Sequence, residues 1–222
     1  IAADAPQSGY AFSKWTGDTA GVANVNSAST TITMPAANAS VTATYTPSGG
    51  GLTFQESSGL VSMEAEHYSS KAAGTGAYTS YNWNSVTPYS SASGNEVMQG
   101  QPNNGIDTGA GTSGPVMNFQ INFATTGAYY VHVRFPPLPA ADNTVNVGMN
   151  GSVTTAGVTQ GSTSKWKWIK AANSITVPAT GTRTFNMWMG EDGVIADKIV
   201  LTTNASAAYD GGSTGPTESP RQ

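Results

Sequence analysis

The chain has 222 residues, room for one large domain or two small ones, and its net charge of −4, with nine Lys plus Arg and no basic cluster, excludes an electrostatic footprint for nucleic acid or an anionic membrane. The absence of cysteine excludes disulfides, thiol catalysis and cysteine-held zinc, and no apolar run approaches the roughly eighteen residues that a membrane helix needs. Charged residues make up only 10%, while 26 Gly and 12 Pro point to many short strands joined by turns, kept soluble by Ser, Thr, Asn and Gln.

The chain opens at Ile1 with no signal sequence and reads as a piece of a longer secreted polypeptide. Residues 1–46 form a small β-rich segment in which Thr30–Met34 and Val41–Tyr45 alternate as strands, with Pro35 to Asn38 as the turn between them. Phe12 and Trp15 are expected to fill its small core. Gly9-Tyr10-Ala11-Phe12, Trp15-Thr16-Gly17-Asp18, and Thr33-Met34-Pro35 followed by Val41–Tyr45 resemble the InlB-like B-repeats of bacterial surface and secreted proteins. The resemblance implies a stalk or connector, truncated at its start. Residues 47–51, Pro-Ser-Gly-Gly-Gly, read as a flexible linker.

Residues 52–204 carry strand patterns throughout, and 205–222 read as a tail. Near the start, Glu64 and Glu66 stand two apart, so in a strand their carboxylates share one face. Like charges on one face call for a cation; a hard ion such as Ca²⁺ is one reading, and a solvated edge with Lys198 as ion-pair partner is the other. Tyr81-Asn82-Trp83-Asn84 is a polar stretch around an unexplained tryptophan, and the segment from Asn103 to Asp107 is rich in turn formers. Met117, Phe119, Ile121 and Phe123 alternate with amides, and after the turn at Thr125–Gly127 so do Tyr129, Val131, Val133 and Phe135. His132 falls out of phase with them and is expected to face solvent. Trp166 and Trp168 alternate in a further strand, of which Trp168 is assigned to the core. Val145–Met149, Ile175–Val177, Phe185–Met189 and Ile199–Leu201 complete the set, with Asp192-Gly193 as a hairpin signal. No segment has a helical period long enough for crossover helices, so the expected fold is all-β, an antiparallel β-sandwich.

Glu64-Ala65-Glu66, the segment from Gly127 to Arg134, Lys165-Trp166-Lys167-Trp168, Gly181–Phe185 and Asp192–Ile199 occur in the order seen in carbohydrate-binding modules of families 6 and 35. The stretch is most similar to the C-terminal module of family 115 glycoside hydrolases, whose tail resembles residues 215–220. This resemblance covers about 150 residues and implies a jelly-roll-type sandwich that binds polysaccharide or oligosaccharide, secreted or at the cell surface, and joined covalently to a catalytic domain. It implies a structural Ca²⁺ held by Glu64, Glu66 and Asp197. An aromatic platform rimmed by hydrogen-bonding groups is the expected chemistry of a sugar site; the resemblance places Trp166 there, and the residue patterns add Trp83, Asn82, Asn104, Asp107, Trp188, Glu191 and Asp192 as candidate contacts, a cap on the sandwich edge for Trp83 and ordinary turns for the loop residues being the other reading. Val194-Ile195-Ala196 stands where such modules often carry a ligand-binding Asn, which leaves ligand choice open.

The same residues argue against catalysis. Glu191 and Asp192 are adjacent and need not straddle a scissile bond, and neither His67 nor His132 has a nucleophile arrangement. Two other readings stay open: a structural or adhesive spacer without a sugar site, and a fragment contributing to a glycoside hydrolase active site.

Overall fold

The computed structural model describes residues 1–4, 10–47, 52–161 and 164–222. They divide into two compact units, Ile1–Gly51 and Leu52–Gln222. Beyond Pro47, the expected linker lies outside the described residues.

In the first unit, β1 (Tyr10–Gly17) pairs antiparallel with β2 (Val41–Pro47). Trp15 is the buried apolar side chain of this pair; its indole Nε1 donates to Ser27 O at 2.9 Å and its ring lies 5.7 Å from that of half-buried Phe12. Residues 30–34 do not form the expected hairpin with Val41–Tyr45: they contribute an isolated bridge, Val22↔Ile32, and β2 takes β1 as its partner. Met34 is 81% exposed. A strand with one apolar face persists only where that face meets a surface to bury it, and Trp15 supplies such a surface beside β1.

The second unit contains β3 (Phe54–Gln55), β4 (Leu60–Glu64), β5 (Ser70–Ala72), β6 (Asn82–Val86), β7 (Val97–Gln101), β8 (Val116–Phe123), β9 (Gly127–Phe135) and β10 (Thr144–Met149). It continues with β11 (Ser152–Thr159), β12 (Lys167–Lys170), β13 (Ile175–Val177), β14 (Gly181–Met189), β15 (Ile195–Ala196) and β16 (Lys198–Thr202). One sheet runs β11-β10-β14-β8-β3 with β5 also on β8, a second runs β12-β9-β16-β4 with β13 also on β9, and a third is β15-β7-β6. All pairings are antiparallel except β3 with β8. The fold is all-β and mostly antiparallel, with open sheets; among the described residues no closed jelly-roll barrel forms.

The alternation read in β8 fixes the core. Met117, Phe119, Ile121 and Phe123 are buried and join Phe185, Met187, Val145 and Val147 of the same sheet against Val131, Val133, Phe135, Ile199 and Leu201 of the second. On the outer face amides cross-link the strands: Asn186 Nδ2 donates to Asn118 Oδ1 at 2.7 Å and Gln120 Nε2 to Thr184 Oγ1 at 2.9 Å. These bonds satisfy polar groups in a sequence with few charges.

Four expectations change in the second unit. The tail is a strap over the outer face of β9 and β12: Tyr209 packs on His132 and Trp168 at 5.0 and 5.1 Å between ring centroids, and Lys170 Nζ donates to Ala205 O at 2.6 Å. His132 is therefore buried although out of phase with the core. Trp168 is half-exposed rather than core; it pairs with Arg134 on that outer face and donates its indole N–H to Ser213 O at 3.0 Å. Asp192-Gly193 is a turn, Gly193 having φ 76°, but it carries the chain from β14 in one sheet to β15 in another instead of closing a hairpin. The strap ends by pairing with the start of the unit, Thr53 and Gln222 exchanging backbone hydrogen bonds of 2.8 and 3.0 Å.

Candidate functional site

β4 ends at Glu64, and Ala65–His67 is a 3₁₀ turn, so Glu64 and Glu66 do not share a strand face as the spacing suggested. Both are nevertheless buried, with Asp197, Arg134 and Lys198 around them. Register explains the grouping, because Lys198 of β16 lies between Glu64 of β4 and Arg134 of β9. Lys198 Nζ is 2.8 Å from Glu64 Oε1, and Arg134 donates to Asp197 Oδ2 at 2.6 Å. Ser93 joins the two pairs, its hydroxyl donating to Glu64 Oε1 at 2.7 Å and its amide to Asp197 Oδ1 at 2.8 Å. The ion pair with Lys198 exists, in the interior and not at a solvated edge.

Two acceptors in this cluster lack a donor among the described residues: Glu64 Oε2 and Glu66 Oε2 are buried without a partner. Burial, reinforced by the Glu64, Glu96 and Asp197 carboxylates, pushes Glu66 up to about 9. Burial also raises Asp197, to about 6, against the opposing pull of Arg134. Among the described residues no set of three His, Asp or Glu side chains is arranged to hold a metal. Glu64 and Glu66 suit a hard cation through their orphaned oxygens, whereas both Asp197 oxygens are already engaged.

Two of the aromatic candidates are enclosed. Trp83 has no exposed surface and its Nε1 donates to Pro115 O at 2.9 Å, so its ring offers no face to a ligand. Trp188 is 4% exposed; it points away from the core, opposite Asn146 and Val116 of the flanking strands. Trp166 is half-buried just before β12, with the Arg134 guanidinium over its ring at 4.1 Å and Tyr89 meeting it edge-on at 6.0 Å. The neighbouring Tyr89 was missed in the sequence because no periodicity marks its loop.

The polar candidates converge elsewhere. Asp192 is fully buried and accepts from the amides of Asn104 at 2.5 Å and Ile106 at 2.9 Å, which makes it the post that holds this loop and leaves no oxygen for a ligand. Asn104 is exposed and its Oδ1 accepts from Tyr81 Oη at 2.5 Å, while Asn82 is half-buried in β6, opposite Gln101. Asp107 and Glu191 form an isolated bridge at the rim of an open cleft of about 340 Å³, whose lining includes Thr144, Asn146, Gly109 and Gly157. One oxygen of each acid is committed, Asp107 Oδ1 to the Gly109 amide at 2.6 Å and Glu191 Oε2 to the Asn143 amide at 2.9 Å; the other oxygens have no partner among the described residues.

Asn146 braces the cleft floor, donating to Gly109 O and Gly111 O at 2.8 and 3.1 Å and accepting from the Gly157 amide at 3.0 Å. Its outward direction was readable from Val145 and Val147 on either side, but its partners were not, since they come from a distant loop. The arrangement can accept hydroxyl hydrogen bonds at a rim fixed by rigid strands.

The second unit is thus an all-β, mostly antiparallel sandwich with a loop-rimmed cleft. Residues 53–218 match the glycosyl hydrolase family 115 C-terminal domain, and the chain belongs to that family; residues 1–49 match the divergent InlB B-repeat domain. An uncharacterized protein of Formosa agariphila is 31% identical over 106 residues, 41% of this chain and 26% of that protein. Among solved structures, a Podospora anserina β-(1,4)-mannanase carrying a family 35 module is 24% identical, with a TM-score of 0.48, over 67% of this chain and 28% of that one. The C-terminal family 6 module of a Zobellia galactanivorans laminarinase is 17% identical, with a TM-score of 0.44, over 65% of this chain and 99% of that one.

Proposed function

We propose that the second unit binds polysaccharide or oligosaccharide in the cleft rimmed by Asp107 and Glu191. It is a non-catalytic accessory module of a multidomain carbohydrate-active protein, in an extracellular or secreted context. The observation that carries the placement is the pair of carboxylates, each with one oxygen available, held at an open cleft by Asp192 and Asn146. Sugar hydroxyls donate to such oxygens, and a preorganised rim reduces the entropy lost on binding. A jelly-roll winding of the sheets and a covalently linked catalytic domain in the parent protein belong to the same reading.

Trp166 supports a second surface for stacking, because it is half-exposed, immobilised on Arg134 and flanked by Tyr89. A structural Ca²⁺ would be held by Glu64 and Glu66, whose orphaned oxygens favour it, and would supply positive charge where β4 meets β16.

The test is a glycan array followed by titration of hits with the intact chain and with Asp107→Ala and Trp166→Ala. Loss of an anchor from a small site costs on the order of 1–2 kcal/mol, about tenfold in Kd. Loss in Asp107→Ala places the sugar in the cleft; loss confined to Trp166→Ala moves it to the aromatic surface. An array with no hits would make the unit a spacer.

A further inference from the structure

We infer that the cleft selects neutral sugars and rejects acidic ones. The inference rests on the proposal that this cleft is the sugar site, and adds the chemical class of its ligand. Asp107 and Glu191 are bridge partners, which sets their Cβ atoms about 5 Å apart. Asp142 stands by the same loop, where Asn103 Nδ2 donates to its Oδ2 at 2.9 Å, and Asp192 lies buried beneath it. Among the described residues no lysine or arginine lines the cleft.

Cations that could have answered these acids are committed elsewhere. Arg134 and Lys198 are buried with Asp197 and Glu64, Lys71 Nζ donates to Trp83 O, Lys170 reaches the strap, and Arg183 bonds Ala179 O. A uronate or sulfate in the cleft would therefore meet a second and a third negative charge with no counter-ion from the cleft lining. A neutral sugar meets the two carboxylates without that repulsion, and two adjacent hydroxyls can donate to one carboxylate or bridge the pair. Among the described residues no aromatic ring lines the cleft, and the small residues Gly109, Ala110, Ala156 and Gly157 leave its floor open. The ligand is read by its hydroxyl edge, with ring stacking playing no part there.

The experiment is calorimetric titration of the full chain with neutral xylo-, gluco-, manno- and galacto-oligosaccharides, with uronic-acid oligosaccharides of matched length, and with sulfated ones, in EDTA and again in calcium. The expected result is binding of a neutral probe and affinity at least about tenfold weaker for acidic probes, the gap narrowing as salt screens the rim. Asp107→Asn and Glu191→Gln keep shape and remove charge. With melting midpoints unchanged, each should narrow the gap by strengthening acidic probes relative to neutral ones. Acidic probes binding as tightly as neutral ones, with or without calcium, would overturn the inference while leaving carbohydrate binding intact. The inference is overturned equally if a neutral probe binds and both variants leave its preference over acidic probes untouched. Absence of binding to every probe would instead remove the underlying reading of the unit.

Discussion

His132 is held neutral by its surroundings: burial, with a smaller contribution from the Lys170 charge, lowers it to about 4 from an ordinary value of 6.5. Its Nε2 is buried without a partner among the described residues and Tyr209 covers the ring. The folded state then binds fewer protons than the unfolded chain between about pH 4 and 6.5, so His132 makes stability rise with pH across that window. Its contribution is fully present above about 6.5, is lost as pH falls toward 4, and amounts to about 3 kcal/mol as an upper bound. His132→Phe keeps a ring under Tyr209 and removes the titration, so its melting midpoint between pH 4 and 7 should fall less steeply than that of the unaltered protein. Parallel slopes would mean that other groups carry the acid sensitivity. Phase alone marked His132 as outward; burial came from a segment more than seventy residues later, which strand periodicity does not encode.

At the scale of elements, the strap over β9 and β12 behaves as part of the sandwich. Ser219 exchanges hydrogen bonds with Ser62, Glu218 pairs with His67 at 2.7 Å, and Gln222 pairs with Thr53. Ending the chain after Asn204 would expose His132, Arg134 and Trp168 together and leave the Arg134–Asp197 pair open to water, so a loss of about 3 kcal/mol or more is expected in chemical denaturation. Trp168→Ala removes one side of the Tyr209 contact and should cost about 1–2 kcal/mol, less than truncation. An unchanged midpoint in the truncated chain would refute the integral role of the strap. The junction of β4 and β16 gives a separate expectation. If Ca²⁺ sits on Glu64 and Glu66, adding it to chelated protein should raise the melting midpoint, by about 2.7 kcal/mol of stability at a hundred times its Kd. No shift, with no bound metal by elemental analysis, would leave Lys198 and Arg134 as the counter-charges of the cluster.

At the scale of the whole molecule, the core cluster of the second unit runs from Phe54 to Leu201 among the described residues. Residues 52–222 expressed alone should keep the midpoint of that unit in the full chain, and a fall of more than a few degrees would show that the first unit contributes to it. The sequence by itself determined the all-β class and the inward faces of β8, β9, β10 and β14, because alternation of apolar and polar residues is a local property of a strand with one buried face. That Glu64, Glu66 and Asp197 stand near one another was implied by the resemblance to families 6 and 35 and not by their spacing, since Glu66 lies in a 3₁₀ turn beyond the strand that holds Glu64. Tertiary structure decided what those residues touch: Lys198 and Arg134 reach the acids only through the register of three strands that are distant in sequence. It also decided that Trp83 is enclosed and that Asp192 is a post for the loop and Asp107 part of an open rim, because the exposure of a loop side chain depends on which distant segment lies over it, and no periodicity records that.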